Sequence, residues 1–222
     1  LIWVHGGGFI LGAPETHLAM MSHLALAANA LVIAPRYRLA PEHPFPAAAE
    51  DITALIGDAM DWQADIGPVA LGGDSAGGAL ALVGLAALLA EGRVPSALVL
   101  FSPAGIVDPA RPVPDADDLL FPEVLLHRIG AAYAPDADPS DPRLCPVFAD
   151  YPGAPPALIH CVDAEYLEED TDEIALRLSK FGSDVHVEKA RQMPHVWHFM
   201  AGSSPLADDA IARVGAFLRA HS

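Results

Sequence analysis

Short apolar runs rich in β-branched residues alternate with longer stretches of helical periodicity along most of this chain. The short runs predict buried strands at residues 1–5, 31–37, 68–74, 97–102, 157–163 and 185–190. The longer stretches predict helices at residues 16–29, 46–63, 75–91, 168–181 and 205–220. Strands that alternate with helices in this way imply an α/β fold with a mostly parallel sheet and helices on both faces.

One segment, residues 102–156, interrupts the alternation because it is rich in Pro and Asp and carries a single weak helical pattern at 121–133. We expect it to hold loops and part of a substrate-binding wall. The chain shows no internal repeat, and 222 residues suffice for one domain with a substantial core. We therefore expect residues 1–222 to form a single domain.

A serine stands between a predicted strand and a strongly apolar helix, within the pattern G-x-S-x-G at residues 73–77. A serine in such a strained turn needs small residues two positions away on either side. Its hydroxyl projects at the helix N-terminus, where backbone N–H groups stabilise developing negative charge. The stretch lacks the Gly-Lys-Ser/Thr of a phosphate loop and the spacing of a dinucleotide fingerprint. Ser75 is therefore the candidate nucleophile.

Three glycines at residues 6–8 directly follow the first predicted strand. A serine that attacks an ester creates a tetrahedral oxyanion, which is stabilised by N–H donors already aimed at that oxygen. Glycines let the backbone approach closely and adopt conformations closed to other residues. We expect Gly7, Gly8 and Ala76 to supply the N–H donors of an oxyanion hole. His5, which precedes the glycines, is expected to form a structural hydrogen bond.

Charge and apolar length exclude several partners. With 12 Lys and Arg against 29 Asp and Glu, the formal charge of -17 disfavours nucleic acid and anionic membrane surfaces. The longest apolar stretch, residues 76–90, is shorter than the roughly twenty residues that span a bilayer, so we expect no membrane span. Cys145 and Cys161 have no spacing typical of a metal site or a disulfide framework. They favour a reducing, cytoplasmic location.

Three motifs together resemble a known family. They are His-Gly-Gly-Gly-Phe at 5–9, Tyr-Arg-Leu-Ala-Pro-Glu-His-Pro-Phe-Pro-Ala-Ala at 37–48 and Gly-Asp-Ser-Ala-Gly-Gly at 73–78. Over essentially the whole chain, the sequence resembles the hormone-sensitive-lipase-like branch of the α/β-hydrolase esterases. The resemblance implies hydrolysis of short- to medium-chain carboxylic esters through an acyl-enzyme intermediate, with no metal or cofactor. It implies a small-molecule ester substrate and leaves a homodimer open.

A serine nucleophile of this kind needs a histidine base and a carboxylate, which follow it in the order Ser, acid, His. For the acid, there are two candidates, which lie at and just beyond the end of the strand predicted at 157–163. The resemblance selects Glu165, because the family's acid stands two residues before a leucine that is followed by further acids. Asp163 is the alternative, since it lies nearer the strand end and Asp is the commoner acid. The acidic run at 168–170 is expected to open a helix.

For the base, two histidines follow the last predicted strand in Met-Pro-His-Val-Trp-His at residues 193–198. Similar esterases place the catalytic imidazole directly after such a Met-Pro pair, which favours His195. His198 lies three residues further on and is expected to line the pocket or to cap a helix. The resemblance therefore implies a triad of Ser75, Glu165 and His195.

The resemblance also has a gap. These esterases place two further strands and a helical cap before the His-Gly-Gly-Gly strand, whereas this chain begins at that strand without a methionine. We therefore expect an N-terminally truncated catalytic domain that lacks the usual cap and first strands. The run at 31–37 would then form a long apolar sheet edge.

Three rival functions remain open. An amide hydrolase would use the same triad, and only a substrate panel separates it from an esterase. A hormone-binding module shares the fold, but such proteins lose the catalytic histidine, so the combination of Ser75 and His195 disfavours this reading. The third rival is an inactive fragment.

Overall fold

The computed structural model describes residues 1–112, 116, 118–120 and 122–222. Within these residues, five parallel strands form one sheet in the sequential order β1 to β5. The strands are β1 (Ile2–Val4), β2 (Leu71–Asp74), β3 (Leu98–Phe101), β4 (Ala157–Val162) and β5 (Val185–Ala190). The helices are α1 (Leu18–Ala28), α2 (Ala47–Asp61), α3 (Gln63–Ile66), α4 (Ala76–Ala90), α5 (Glu123–Tyr133), α6 (Glu168–Lys180) and α7 (Pro205–Ala220).

Alternate side chains of each strand enter two separate hydrophobic clusters. In β3, Leu98 and Leu100 face the cluster that packs against α2, α4 and α6, while Val99 and Phe101 face the cluster of α1 and α7. Because both faces are covered, β1 and β3 are apolar throughout, whereas the edge strand β5 carries His186, Glu188 and Lys189. The predicted α/β fold, with a parallel sheet and helices on both faces, is confirmed.

Most of the predicted helix and strand ends lie within one residue of the observed ends. Residues 185–190 and 205–220 match β5 and α7. The region predicted as one helix at 16–29 divides into a 3₁₀ turn, Pro14–His17, followed by α1. Two further 3₁₀ turns are Pro146–Phe148 and Trp197–Met200. The weak helix predicted at 121–133 is α5, which begins at Glu123, and Phe121 lies outside the described residues.

The strand predicted at 31–37 is wrong. Residues 31–37 make a single parallel bridge to β1, between Ile33 and Ile2. Ile33 accepts a hydrogen bond from the Trp3 amide and donates one to the Leu1 carbonyl, both over 2.9 Å. In a parallel ladder the next bond toward β1 would come from the amide of residue 35, and Pro35 has no N–H. The proline therefore ends the pairing, and no long edge strand forms there.

No helix among the described residues is long and apolar enough to cross a membrane.

Candidate active site

Ser75 occupies a sharp turn between the end of β2 and the first residue of α4. Its backbone is left-handed, with φ 52° and ψ -122°, a conformation that costs energy for any residue except glycine. The neighbouring glycines make this turn fit beneath β1. A Cβ on Gly77 would lie 2.1 Å from the Val4 carbonyl oxygen, and one on Gly73 would lie 2.5 Å from the Gly77 carbonyl oxygen. The small residues of G-x-S-x-G are therefore required by close backbone packing.

His195 and Glu165 meet at the carboxyl ends of β4 and β5. The His195 Nδ1 atom lies 2.7 Å from Oε2 of Glu165, and both side chains are almost fully buried. A carboxylate accepts hydrogen bonds, so Nδ1 carries the proton and Nε2 is left as the acceptor nitrogen of the ring, which is the tautomer that a general base requires. The other Glu165 oxygen, Oε1, accepts a bond of 3.0 Å from the Val162 amide. This second bond fixes the carboxylate toward the imidazole.

Asp163, the alternative acid, is placed differently. Its side chain is 45% exposed, and its carboxylate lies 3.4 Å from Nε of Arg191 at the surface. The structure therefore brings Glu165, and not Asp163, against the histidine.

His198 does not line the described cavities beside Ser75, contrary to one expectation. It is fully buried, stacks on Phe101 with the ring centroids 3.5 Å apart, and its Nε2 lies 2.9 Å from Nδ1 of His160. Burial lowers the pKa of His198 well below its usual value and lowers that of His160 to about 4. Two neutral imidazoles therefore share one hydrogen bond beneath the segment that carries His195.

The glycine loop turns its backbone toward Ser75. Gly7 and Gly8 have φ values of 122° and 59°, which favour glycine. A Cβ on Gly7 would lie 2.1 Å from the Leu11 carbonyl oxygen, so the loop is closed tightly on itself. Among the described residues, the backbone amides of Gly7 and Gly8 donate no hydrogen bond to another backbone group. The amide of Ala76 opens α4, where N–H groups have no partner within the helix.

Asp74 holds this loop to the nucleophile turn, and motif analysis had assigned it no role. Its buried carboxylate accepts hydrogen bonds from the Gly6 amide (3.1 Å) and from Trp3 Nε1 (2.9 Å). The ring nitrogen Nε2 of His17 lies 3.1 Å from the same carboxylate. His5 bonds through Nδ1 to the Gly6 carbonyl over 2.8 Å, the structural bond expected of it. Asp74 occupies one of the two variable positions of G-x-S-x-G, so the pattern itself gives no signal for this function.

Ser75 lies between two cavities. The larger one, of about 340 Å³, is also lined by Gly7, Gly8 and His195. The smaller one, of about 90 Å³, is also lined by Gly8 and Ala76. The predicted nucleophile lines both cavities, and the predicted base and N–H donors each line at least one of them. Within the described ranges, no group of three or more His, Cys, Asp and Glu side chains is arranged to hold a metal ion.

The chain was compared with known proteins. A family model described as the alpha/beta hydrolase fold matches residues 1–199. An acetyl-hydrolase of Streptomyces hygroscopicus is 36% identical over 99% of this chain and 75% of its own length. Esterase LipI of Mycobacterium tuberculosis is 32% identical over 96% of this chain and 70% of its own length. A crystal structure of an esterase from the bacterial hormone-sensitive lipase family superposes with a TM-score of 0.89, at 36% identity over 100% of this chain and 76% of that one.

Proposed function

This chain belongs to the alpha/beta hydrolase fold family and is a carboxylic ester hydrolase, and we propose that it cleaves short- to medium-chain esters through an acyl-enzyme intermediate on Ser75. The observation that carries the proposal is the buried bond between Nδ1 of His195 and Glu165, in a histidine that lines the same cavity as Ser75. This combination supplies a nucleophile, a base and an orienting carboxylate.

In the first half of the proposed reaction, Ser75 Oγ attacks the ester carbonyl carbon while its proton passes to Nε2 of His195. The Glu165 carboxylate stabilises the imidazolium that forms, through the 2.7 Å bond at Nδ1. The amides of Gly7, Gly8 and Ala76 donate to the negative oxygen of the tetrahedral intermediate. Collapse of the intermediate breaks the bond to the alcohol, which leaves with the proton from Nε2.

In the second half, water replaces the alcohol. Nε2 of His195 accepts a proton from the water as its oxygen attacks the acyl carbon, and a second tetrahedral intermediate forms in the same oxyanion hole. Its collapse returns the proton to Ser75 Oγ and releases the carboxylic acid. Ser75, Glu165 and His195 all follow strands of one sheet, which supports our proposal of a single catalytic domain over residues 1–222. The cytoplasmic location and the homodimer stay predictions.

Trapping the acyl group tests this proposal. We expect p-nitrophenyl acetate to give a burst of p-nitrophenol equal to the enzyme concentration. Mass spectrometry of quenched samples should find one acetyl group on the intact protein and, after digestion, on the peptide that contains Ser75. Ser75→Ala should show neither signal, whereas the control Ser96→Ala should show both. An acetyl group on any other residue would overturn the proposed nucleophile. Turnover of p-nitroacetanilide at a rate similar to that of the ester would favour the amide hydrolase instead.

A further inference from the structure

The two cavities beside Ser75 differ in which catalytic groups they meet. Both are lined by Gly8, Ser75 and the α5 residues Leu126 and Ile129. In the described part of the chain, His195 lines the larger cavity and is not among the residues around the smaller one. Ala76 lines the smaller cavity and is not among the residues around the larger one. The nucleophile therefore has its base on one side and an oxyanion donor on the other.

This asymmetry assigns the two halves of an ester. The leaving alcohol takes its proton from Nε2 of His195, so its oxygen must lie on the histidine side of Ser75. The oxyanion lies against the N–H donors of Gly7, which lines the larger cavity, Gly8, which lines both, and Ala76, which lines the smaller one. The acyl chain takes the direction that leads away from His195. We propose that the acyl chain enters the smaller cavity and the alcohol the larger one, an inference that rests on the proposed function.

The smaller cavity limits the acyl chain. It holds about 90 Å³, against about 340 Å³ for the larger one. Most of its lining residues are apolar, but Asp108, Arg111 and His127 also line it. Arg111 is held in place by ion pairs to the buried Asp170 and, over 3.6 Å, to Glu169. Asp170 also accepts bonds from the amides of Gly105 and Ile106, so this part of the lining is fixed. The small volume therefore limits the length of the acyl chain that this cavity can accept.

The larger cavity is apolar. Its wall includes Ile10, Leu11, Leu120, Leu125, Val196 and Phe199. Burial of apolar alcohol surface against these side chains is favourable in proportion to the area removed from water. The substrates that fit both cavities are therefore esters of short acids with bulky, apolar alcohols.

Ile129 lines both cavities, as do Leu126 and Leu167. A Cβ on Gly8 would lie 2.7 Å from Cδ1 of Ile129, so this side chain packs directly against the glycine loop. Leu125 and Ile129 are four residues apart and share one face of α5, but Leu125 lines the larger cavity and is not among the residues around the smaller one. Val124, on the same helix, is 54% exposed and lines neither. Of the side chains that line both cavities, Ile129 is the one nearest to Gly8, so we assign to it the control of acyl length.

Three alanine variants of α5 test this assignment with purified, folded protein. The readout is kcat/KM for p-nitrophenyl acetate, butyrate and octanoate, in which the leaving alcohol is constant. We expect the wild type to fall at least tenfold from butyrate to octanoate. Ile129→Ala should reduce that fall at least threefold, because truncation of a side chain that lines the smaller cavity enlarges it. Leu125→Ala and Val124→Ala should keep the wild-type acyl profile.

A second series with a constant acetyl group separates the cavities further. Leu125→Ala should change the ratio of naphthyl acetate to methyl acetate hydrolysis at least threefold, and Val124→Ala should leave it unchanged. An acyl profile that moves in Leu125→Ala and not in Ile129→Ala would overturn the assignment. An unchanged profile in Ile129→Ala with normal turnover would also overturn it while leaving the esterase proposal intact. A folded wild type that cleaves none of the esters would overturn the proposed function itself.

Discussion

Nδ1 of His195 donates a hydrogen bond of 2.7 Å to Oε2 of Glu165, and less than a tenth of either residue is exposed. The carboxylate sits three residues after β4, and its second oxygen is held by the Val162 amide. Both residues are largely buried, so the attraction between the imidazolium and the carboxylate is less screened than at the surface when the histidine accepts a proton. This pair is the part of the site on which the proposed chemistry depends most.

Replacing the acid tests that pair. We expect Glu165→Gln to lower kcat for p-nitrophenyl acetate by about 10² to 10⁴, since the amide does not stabilise the imidazolium and favours the wrong tautomer. Asp163→Asn is the matched control, because Asp163 is 45% exposed and its ion pair with Arg191 lies at the surface. It should stay within about twofold of the wild type. A larger loss in Asp163→Asn than in Glu165→Gln would show that the acid has been misassigned.

Asp74 should couple stability to catalysis. In Asp74→Asn, one carboxylate oxygen becomes an NH₂ donor, which faces Trp3 Nε1 if it replaces Oδ1 and the Gly6 N–H if it replaces Oδ2. We expect urea unfolding to show a loss of about 2–4 kcal/mol. We also expect kcat to fall at least tenfold, because Gly6 begins the loop that carries the oxyanion donors. A loss of stability with kcat unchanged would limit Asp74 to a purely structural role.

The control for the buried Asp74 is Asp61, a carboxylate exposed to solvent. Asp61 lies 2.6 Å from Nη2 of Arg93, but its side chain is 76% exposed. Asp61→Asn should therefore cost less than about 1 kcal/mol and leave kcat unchanged. Equal losses in the two variants would indicate that burial of the Asp74 network has no special importance.

The buried histidine pair predicts a pH-dependent stability. Burial lowers the pKa values of His160 and His198 in the folded state, whereas both have ordinary values near 6.5 once unfolded. Below about pH 6.5 the unfolded chain binds more protons than the folded one, so the free energy of unfolding falls as the pH falls toward 4. Each histidine contributes a slope of up to about 1.4 kcal/mol per pH unit in this window.

Urea unfolding between pH 7.5 and 5 measures this slope. His198→Gln should reduce the slope, because it removes one histidine whose pKa is lowered by burial. The amide of the glutamine can still form a hydrogen bond with His160. His186→Gln should leave the slope unchanged, because the side chain of His186 is 72% exposed. The charged neighbours Glu188 and Arg213 remain in both variants, with Glu188 Oε2 3.4 Å from His160 Nε2. A slope in His198→Gln equal to that of the wild type would show that the buried histidine pair does not cause the pH dependence of stability.

Local pattern sufficed for much of the fold. The apolar runs gave the strands, and G-x-S-x-G placed Ser75 at the start of α4, because both signals depend on neighbours in sequence. The strand predicted at 31–37 failed at Pro35, whose missing N–H has an effect only once β1 is known to be its partner. Hydrophobicity alone carries no information about which strand pairs with which.

The sequence did not predict several contacts in the site that join residues far apart along the chain. Asp74 and Gly6 are 68 residues apart, and His160 and His198 are 38 apart, so no spacing rule connects them. Ile129 belongs to a helix that its sequence marked only weakly, and its place in the lining of both cavities depends on how α5 packs against the glycine loop. Packing of this kind decides specificity, while the motifs decide the type of chemistry.

The measurement that tests the central claim most directly is release of p-nitrophenol from p-nitrophenyl butyrate by the wild type and Ser75→Ala side by side. Circular dichroism spectra of both proteins should coincide. We predict saturable turnover by the wild type and a loss of at least about 10⁴-fold in the variant, because the triad acts as a unit. Turnover by Ser75→Ala within tenfold of the wild type, or none by the folded wild type, would contradict catalysis by Ser75.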